Sequence, residues 1–263
     1  MVPMFSPCAE SSTMTHLTIL TGASRGMGLA MAEQLLAAGH ALLCIARHAN
    51  PALAERAAQT GSRLEQWAQD LSEGEQAAAR LRQWLGRQDA AGLASVTLIN
   101  NAGVIPRIGP LSEADDADLA QALRVGLEAP MLLSAAFLGA TASWPIPRKI
   151  LNISSGLGRR PMASQAGYCA AKAGMDHFTR CLALEEALKP QGAKVCSLAP
   201  GVIDTDMQVQ LRAADAAAFP DRERFVQLKS DAQLSSPAVA ATQVLAYLAR
   251  PDFGAEPVAD VRG

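Results

Sequence analysis

The stretch from His16 to Gly39 sets the narrowest limits on what this chain can fold into. His16-Leu17-Thr18-Ile19-Leu20 is a short apolar run of the kind that forms a buried strand. Thr21-Gly22-Ala23-Ser24-Arg25-Gly26-Met27-Gly28 follows. Leu29, Ala32, Leu35 and Leu36 then recur at helical spacing until Gly39, a helix-stopping residue. A strand, a glycine-rich turn and a helix in this order leave backbone N–H groups open at the helix N-terminus. Those groups and the helix dipole favour an anion such as a phosphate. Glycines suit the tight turn, the close approach of a phosphate and the packing of helix on strand. The spacing is Gly-x-x-x-Gly-x-Gly, not the commoner Gly-x-Gly-x-x-Gly, and alone it also fits an ordinary strand-to-helix connection.

The pattern then repeats. Ala41–Ala46 is a second apolar run closed by Arg47, Pro51 opens a helix over 51–59, and Leu64–Trp67 is a third strand ending near Asp70-Leu71. A helix over 73–85 leads to the strand Ser95–Ile99, which finishes in Asn100-Asn101-Ala102-Gly103. A long helix is expected over 115–138, with Gly126 and Pro130 inside it, and Lys149–Ile153 is a fifth strand ending at Ser154-Ser155. This alternation, without repeats or a linker, predicts an α/β fold in one domain over 16–263. Its core is a Rossmann-type, doubly wound parallel sheet of about seven strands with helices on both faces. Such sheets bind ligands outside the carboxyl ends of their strands, where the glycine turn, Arg47, Asp70, Asn101 and Ser155 all fall.

At the end of the second strand an acidic residue suits a free ribose 2′-hydroxyl and an arginine suits a 2′-phosphate. With Arg47 there and Arg25 in the turn, two guanidiniums can fork onto one phosphate, which favours NADP(H) over NAD(H). Either arginine alone is equally a solvated surface residue. Asp70 suits the adenine amino group or a cap on the following helix, and the two roles are compatible. The amides at 100 and 101 also suit stitching neighbouring strand ends.

Composition excludes other classes. With 23 basic against 25 acidic side chains, the net charge of −2 argues against binding to nucleic acid or a membrane surface. No uninterrupted apolar run approaches the length of a membrane span. Five cysteines without a Cys-x-x-Cys pair fit a reducing, cytoplasmic setting. Residues 1–15 lack the basic start and apolar core of a secretory signal and read as a mobile tail, with Met14 an alternative start.

Tyr168-Cys169-Ala170-Ala171-Lys172 places a phenol and an ammonium on one helix face. A nearby cation favours the phenolate and brings the phenol pKa down from about 10 toward working pH. Such a group can protonate a carbonyl oxygen as hydride arrives, or take the alcohol proton in reverse. Ser155, at a strand end, can hold the same oxygen and stabilise its developing charge. Taken alone, a Tyr-x-x-x-Lys pair is usually an ordinary surface pair.

Together these segments resemble the short-chain dehydrogenase/reductase family over essentially all of residues 16–263. The resemblance rests on the turn Thr21–Gly28, Asn100–Gly103, the trio Ser155, Tyr168 and Lys172, and Pro200-Gly201-Val202-Ile203-Asp204-Thr205. It implies a cofactor site of Gly22, Ser24, Arg25, Gly26, Met27, Gly28, Arg47, Asp70, Leu71, Asn101, Ala102, Gly103, Tyr168, Lys172, Pro200, Gly201, Val202, Thr205 and Met207. Val202 and Thr205 would meet the nicotinamide carboxamide, and Lys172 its ribose. No metal is expected. The last third, including Asp206-Met207-Gln208, Phe225-x-x-Leu228-Lys229 and Ser236-Pro237, is similar to the branch of sepiapterin and benzil reductases. That likeness implies NADPH-dependent reduction of a small ketone or diketone, with Ser155, Leu157, Met162 and Gln208 near the substrate. Asp260 would be the nearest counterpart of a carboxylate that holds a pterin ring.

Stretches 105–109, 157–162 and 207–210 are mostly apolar and suggest an uncharged, aromatic carbonyl compound. Where many relatives carry an asparagine in the helix over 115–138, this chain has Gly126, which puts a water-borne proton relay in question. Residues 206–235 fit either a mobile lid or a permanently packed helical hairpin. The resemblance also implies that the helices over 115–138 and 165–188 pair subunits into a homodimer or homotetramer. An NADP(H)-binding redox sensor and an alcohol dehydrogenase working in the oxidising direction are the alternative functions.

Overall fold

In a computed structural model that describes residues 14–262, seven strands pair in the order β3-β2-β1-β4-β5-β6-β7, each parallel to its neighbour. Of the tail expected over 1–15, residues 1–13 lie outside the described residues and Thr15 already belongs to the first strand. The strands are β1 (Thr15–Thr21), β2 (Ala41–Ala46), β3 (Leu64–Ala68), β4 (Leu93–Asn100), β5 (Arg148–Ile153), β6 (Lys194–Ala199) and β7 (Val258–Asp260). The helices are α1 (Gly26–Ala37), α2 (Pro51–Thr60), α3 (Gly74–Leu85), α4 (Asp116–Leu123), α5 (Ala129–Ala140), α6 (Ala166–Ala187), α7 (Asp206–Ala213), α8 (Arg222–Ser230) and α9 (Pro237–Ala249).

Alternation within the strands explains the layers. In β2, Leu43 and Ile45 point to one core, while Leu42 and Cys44 point to the other. The first core, with Leu81 of α3, Phe137 of α5 and Leu182 of α6, covers one face. The second, with Met31 of α1, Leu53 of α2 and Val244 of α9, covers the opposite face. A parallel sheet buried on both faces needs the near-continuous apolar strands seen in the sequence.

The long helix expected over 115–138 is not one regular helix. α4 and α5 are joined through a π-turn at Arg124–Glu128, in which the Ala129 N–H reaches back to the Arg124 carbonyl. Two residues account for it. Pro130 has no N–H to give the Gly126 carbonyl four residues earlier, so the regular ladder is broken there. Gly126 is buried against α6, where a Cβ would come 3.1 Å from that of Ala171. The stretch 116–140 is long and apolar enough to cross a membrane by composition, but half of its most apolar window is buried within this fold.

Residues 206–235 form the helices α7 and α8, with a small apolar core of Leu211, Phe219 and Phe225 packed against Ile105, Ile108 and Met162. Asp204, just before α7, pairs with Lys229 of α8 at 2.6 Å and lies 3.8 Å from Arg212 of α7. The hairpin therefore roofs the carboxyl ends of the strands.

Candidate active site

Two close approaches and two positive backbone φ angles make the turn Thr21–Gly28 depend on glycine. Gly22 sits at φ +70° with a would-be Cβ 2.9 Å from the Ala102 Cα, and Gly26 at φ +56°. A Cβ on Gly28 would lie 2.1 Å from the Gly22 carbonyl oxygen. Thr21 locks this turn to the end of β4: its hydroxyl accepts from the N–H groups of Asn101 (2.9 Å) and Ala102 (3.0 Å). The Asn101 side chain donates back to the Thr21 carbonyl at 3.0 Å, and Asn100 donates to Asn152 at 2.8 Å. The amides thus do stitch the strand ends. No side chain caps α1, in contrast to α2 and α9, which Asn50 and Ser236 cap. Open N–H groups at a Cβ-free helix start are what a dinucleotide pyrophosphate requires, so the residues present fit such a cofactor.

One cavity of about 660 Å³ runs along the ends of the strands. Every residue that the sequence assigned to cofactor or substrate borders it, except Asp260. Asp260 lies on β7 with both carboxylate oxygens held by the Arg262 guanidinium, at 2.7 and 2.8 Å, and it is Arg262 that faces the cavity. The carboxylate expected to hold a pterin ring is thus paired with Arg262 and does not itself border the cavity. Asp70 borders the cavity but does not cap α3, whose N-cap is Glu73. Its carboxylate instead accepts from the Ser72 N–H and hydroxyl, each at 2.9 Å. Arg47 stands at the end of β2 beside the cavity, whereas the Arg25 guanidinium is bonded to Asp206 at the start of α7.

The chemical centre is built where β5 ends against α6. Ser155 begins a one-turn 3-10 helix, Gly156–Gly158, by accepting from the Leu157 N–H at 3.1 Å, and its hydroxyl is near enough to the Tyr168 phenol to favour the phenolate. Tyr168, Lys172 and Asp176 follow at four-residue intervals on one buried stripe of α6. The Lys172 ammonium donates to the Ile153 carbonyl at 2.7 Å and lies 5.8 Å from the centre of the Tyr168 ring.

Burial pushes the Tyr168 phenol up to about 12, against the downward pull of the Ser155 hydroxyl. The expected lowering by the ammonium is therefore not what governs this arrangement: Nζ is turned to a backbone carbonyl, and desolvation dominates. Burial also brings the Lys172 ammonium down to about 8, with the Asp176 carboxylate pulling it back up. Asp176 is itself fixed by the Ser197 hydroxyl at 2.6 Å and the Arg159 guanidinium at 3.2 Å. The sequence reading overlooked it, although an aspartate one helical turn beyond Lys172 was a visible signal. Gln121 and Val125, from α4 and the π-turn, also border the cavity and were not anticipated.

At neutral pH this arrangement holds a protonated phenol against a serine hydroxyl, with a cation behind it. It can therefore give a proton to an oxygen bound between Ser155 and Tyr168, and the ammonium steadies the phenolate left behind.

Comparison with known proteins agrees with this geometry. The model of the short chain dehydrogenase family matches residues 16–216. A benzil reductase ((S)-benzoin forming) of Bacillus cereus is 33% identical over 235 residues, spanning 89% of this chain and 94% of its own. A sepiapterin reductase of Meriones unguiculatus is 36% identical over 248 residues, spanning 89% and 92%. A metagenomic short-chain oxidoreductase solved in complex with NADP superposes with a TM-score of 0.70 at 28% identity, over 95% of this chain and 96% of its own. The chain belongs to the short-chain dehydrogenase/reductase family and is an oxidoreductase of that family.

Proposed function

We propose that the protein reduces a small ketone or diketone with NADPH, Tyr168 acting as the general acid. The observation that carries this reading is the meeting of Ser155, Tyr168 and Lys172 on one cavity that continues to the glycine turn. When bound, NADPH supplies the hydride. The chain's own groups do the rest. The Ser155 and Tyr168 hydroxyls hold the substrate oxygen, Tyr168 gives it a proton, and the Lys172 ammonium stabilises the phenolate.

With its pKa pushed up to about 12, the phenol is protonated at neutral pH, the form that gives a proton in reduction. Arg47, at the end of β2, favours NADPH over NADH, and Arg25 would join it once released from Asp206. The Gly126 carbonyl, freed of its regular partner by Pro130, is an acceptor for a water of a proton relay despite the missing asparagine amide. The single sheet supports one domain over 16–263. Exposed Leu184 on α6 and Leu188 just after it support a homodimer or homotetramer, and the free thiols of Cys44, Cys169, Cys181 and Cys196 suit the cytoplasm. The named relatives motivate the first assay: loss of NADPH absorbance with benzil, and separately with sepiapterin. Turnover with NADPH well above NADH supports the proposal. Tight NADPH binding without turnover of any ketone in a diketone and ketone panel would favour a redox sensor instead.

A further inference from the structure

The cavity carries more positive charge than a dinucleotide uses. Arg25, Arg47, Arg160, Lys172, Arg224 and Arg262 border it, against the carboxylates of Asp70, Asp204 and Asp206. Most of these are accounted for. Arg25 pairs with Asp206, Arg262 with Asp260, and Asp204 with Lys229 and Arg212. Arg47 lies at the ribose end, and Lys172 serves Tyr168. Arg160 and Arg224 remain, and among the described residues neither guanidinium takes part in an ion pair or a side-chain hydrogen bond.

Their positions place both at the reacting end. The Arg160 guanidinium lies against Gly156, the residue after Ser155. A Cβ there would stand 3.1 Å from Nη2 and 3.9 Å from Cζ, so the missing side chain at 156 makes room for the cation. Arg224 reaches the same cavity from α8, next to Phe225, which packs in the same small core as Met162. The buried Gln208 amide also borders the cavity, with its oxygen unpartnered. Both arginines are exposed to solvent at the cavity's edge, and a guanidinium there with no carboxylate partner can receive one, because its forked N–H donors match the two oxygens.

We propose that Arg160 and Arg224 clamp an anionic group of the substrate, so that the favoured substrates are keto acids carrying a carboxylate near the carbonyl that is reduced. This rests on the reductase reading and narrows its substrate class. It also replaces the uncharged compound expected from the apolar stretches, one of which contains Arg160 itself.

A matched pair of substrates tests the clamp: benzoylformate and its methyl ester share ring and ketone and differ in charge. The quantity read is the acid-to-ester ratio of kcat/KM, which cancels defects common to both. Arg160→Gln and Arg224→Gln should each lower the ratio by about tenfold or more, through KM of the acid, as expected for loss of a charge-assisted contact. Gly156→Ala, which displaces the guanidinium without removing it, should lower the ratio in the same direction. Arg56→Gln, on the exposed face of α2, should leave it unchanged. Raising ionic strength should weaken the acid more than the ester. A ratio unmoved in all three cavity variants, with benzil or ester still reduced, overturns the clamp and leaves the reductase reading standing. An equal rise in KM for NADPH with both substrates, at constant ratio, also overturns it by assigning the arginines to the cofactor. If neither ketone nor benzil is reduced, the reductase reading fails and the clamp falls with it.

Discussion

Replacing Asp176 by Asn should move the pH profile of the enzyme without dismantling its site. Lys172 sits at about 8 as a balance between burial, which lowers it, and the Asp176 carboxylate one helical turn away, which raises it. Removing an opposite charge at that separation lowers an amine by about one to two units. The alkaline limit for reduction would then fall from near pH 8 to about pH 6–7. At pH 7 the charged fraction of Lys172 would drop from about nine-tenths to between about a half and a tenth. Tyr168, at about 12, stays protonated throughout and adds nothing to this limb. The sign is fixed: reduction needs both groups protonated, so activity is lost as pH rises through the lysine value. The assay is kcat/KM for NADPH-dependent reduction of benzil across pH 5.5 to 9.5, roughly the span over which such a lysine titrates. Asp176→Glu should restore the limb. A merely structural loss would lower the whole profile without shifting it, and an unmoved or raised alkaline limb would refute the reasoning.

Other substitutions separate the remaining parts of the account. Gly28→Ala puts a Cβ 2.1 Å from a backbone oxygen. It should cost about 1–3 kcal/mol or more, lower the Tm by several degrees, and abolish NADPH binding followed by nucleotide fluorescence. Arg47→Asp should raise KM for NADPH about 10- to 100-fold while leaving NADH nearly unaffected, and an equal effect on both cofactors would remove Arg47 from the 2′-phosphate site. Phe219→Ala empties the fully buried centre of the hairpin core, a loss of about 3–5 kcal/mol. Limited proteolysis should then cut within 206–235 before the sheet unfolds, and NADPH should slow the cutting if the hairpin closes over it.

The fold was legible because its signals are local. Short apolar runs gave the first five strands to within two residues at either end, and glycines 22, 26 and 28 marked the turn, two by a positive φ and two by a close approach that a Cβ would block. Tyr168 and Lys172 were legible because four-residue spacing is a helical neighbour relation. What escaped depended on choices among neighbours that spacing does not rank. Burial outweighs the other influences on Tyr168, so its pKa moves opposite to the expectation, while Lys172 turns to the Ile153 carbonyl. Asp260 is taken by Arg262, and Arg25 by Asp206. The π-turn at 124–128 could have been anticipated from Gly126 and Pro130, which lie one hydrogen-bond step apart in a regular helix. Arg160 hid within a stretch whose average is apolar, because average character says nothing about which side chain faces a cavity.

The claim beneath all of this is that the Tyr168 phenol delivers the proton to the substrate oxygen. Single-turnover oxidation of bound NADPH by benzil in Tyr168→Phe measures it directly. The account predicts NADPH affinity close to that of the unaltered protein, with the chemical step slowed by about 10²–10⁴-fold. A chemical step within a few-fold of the unaltered rate would contradict it.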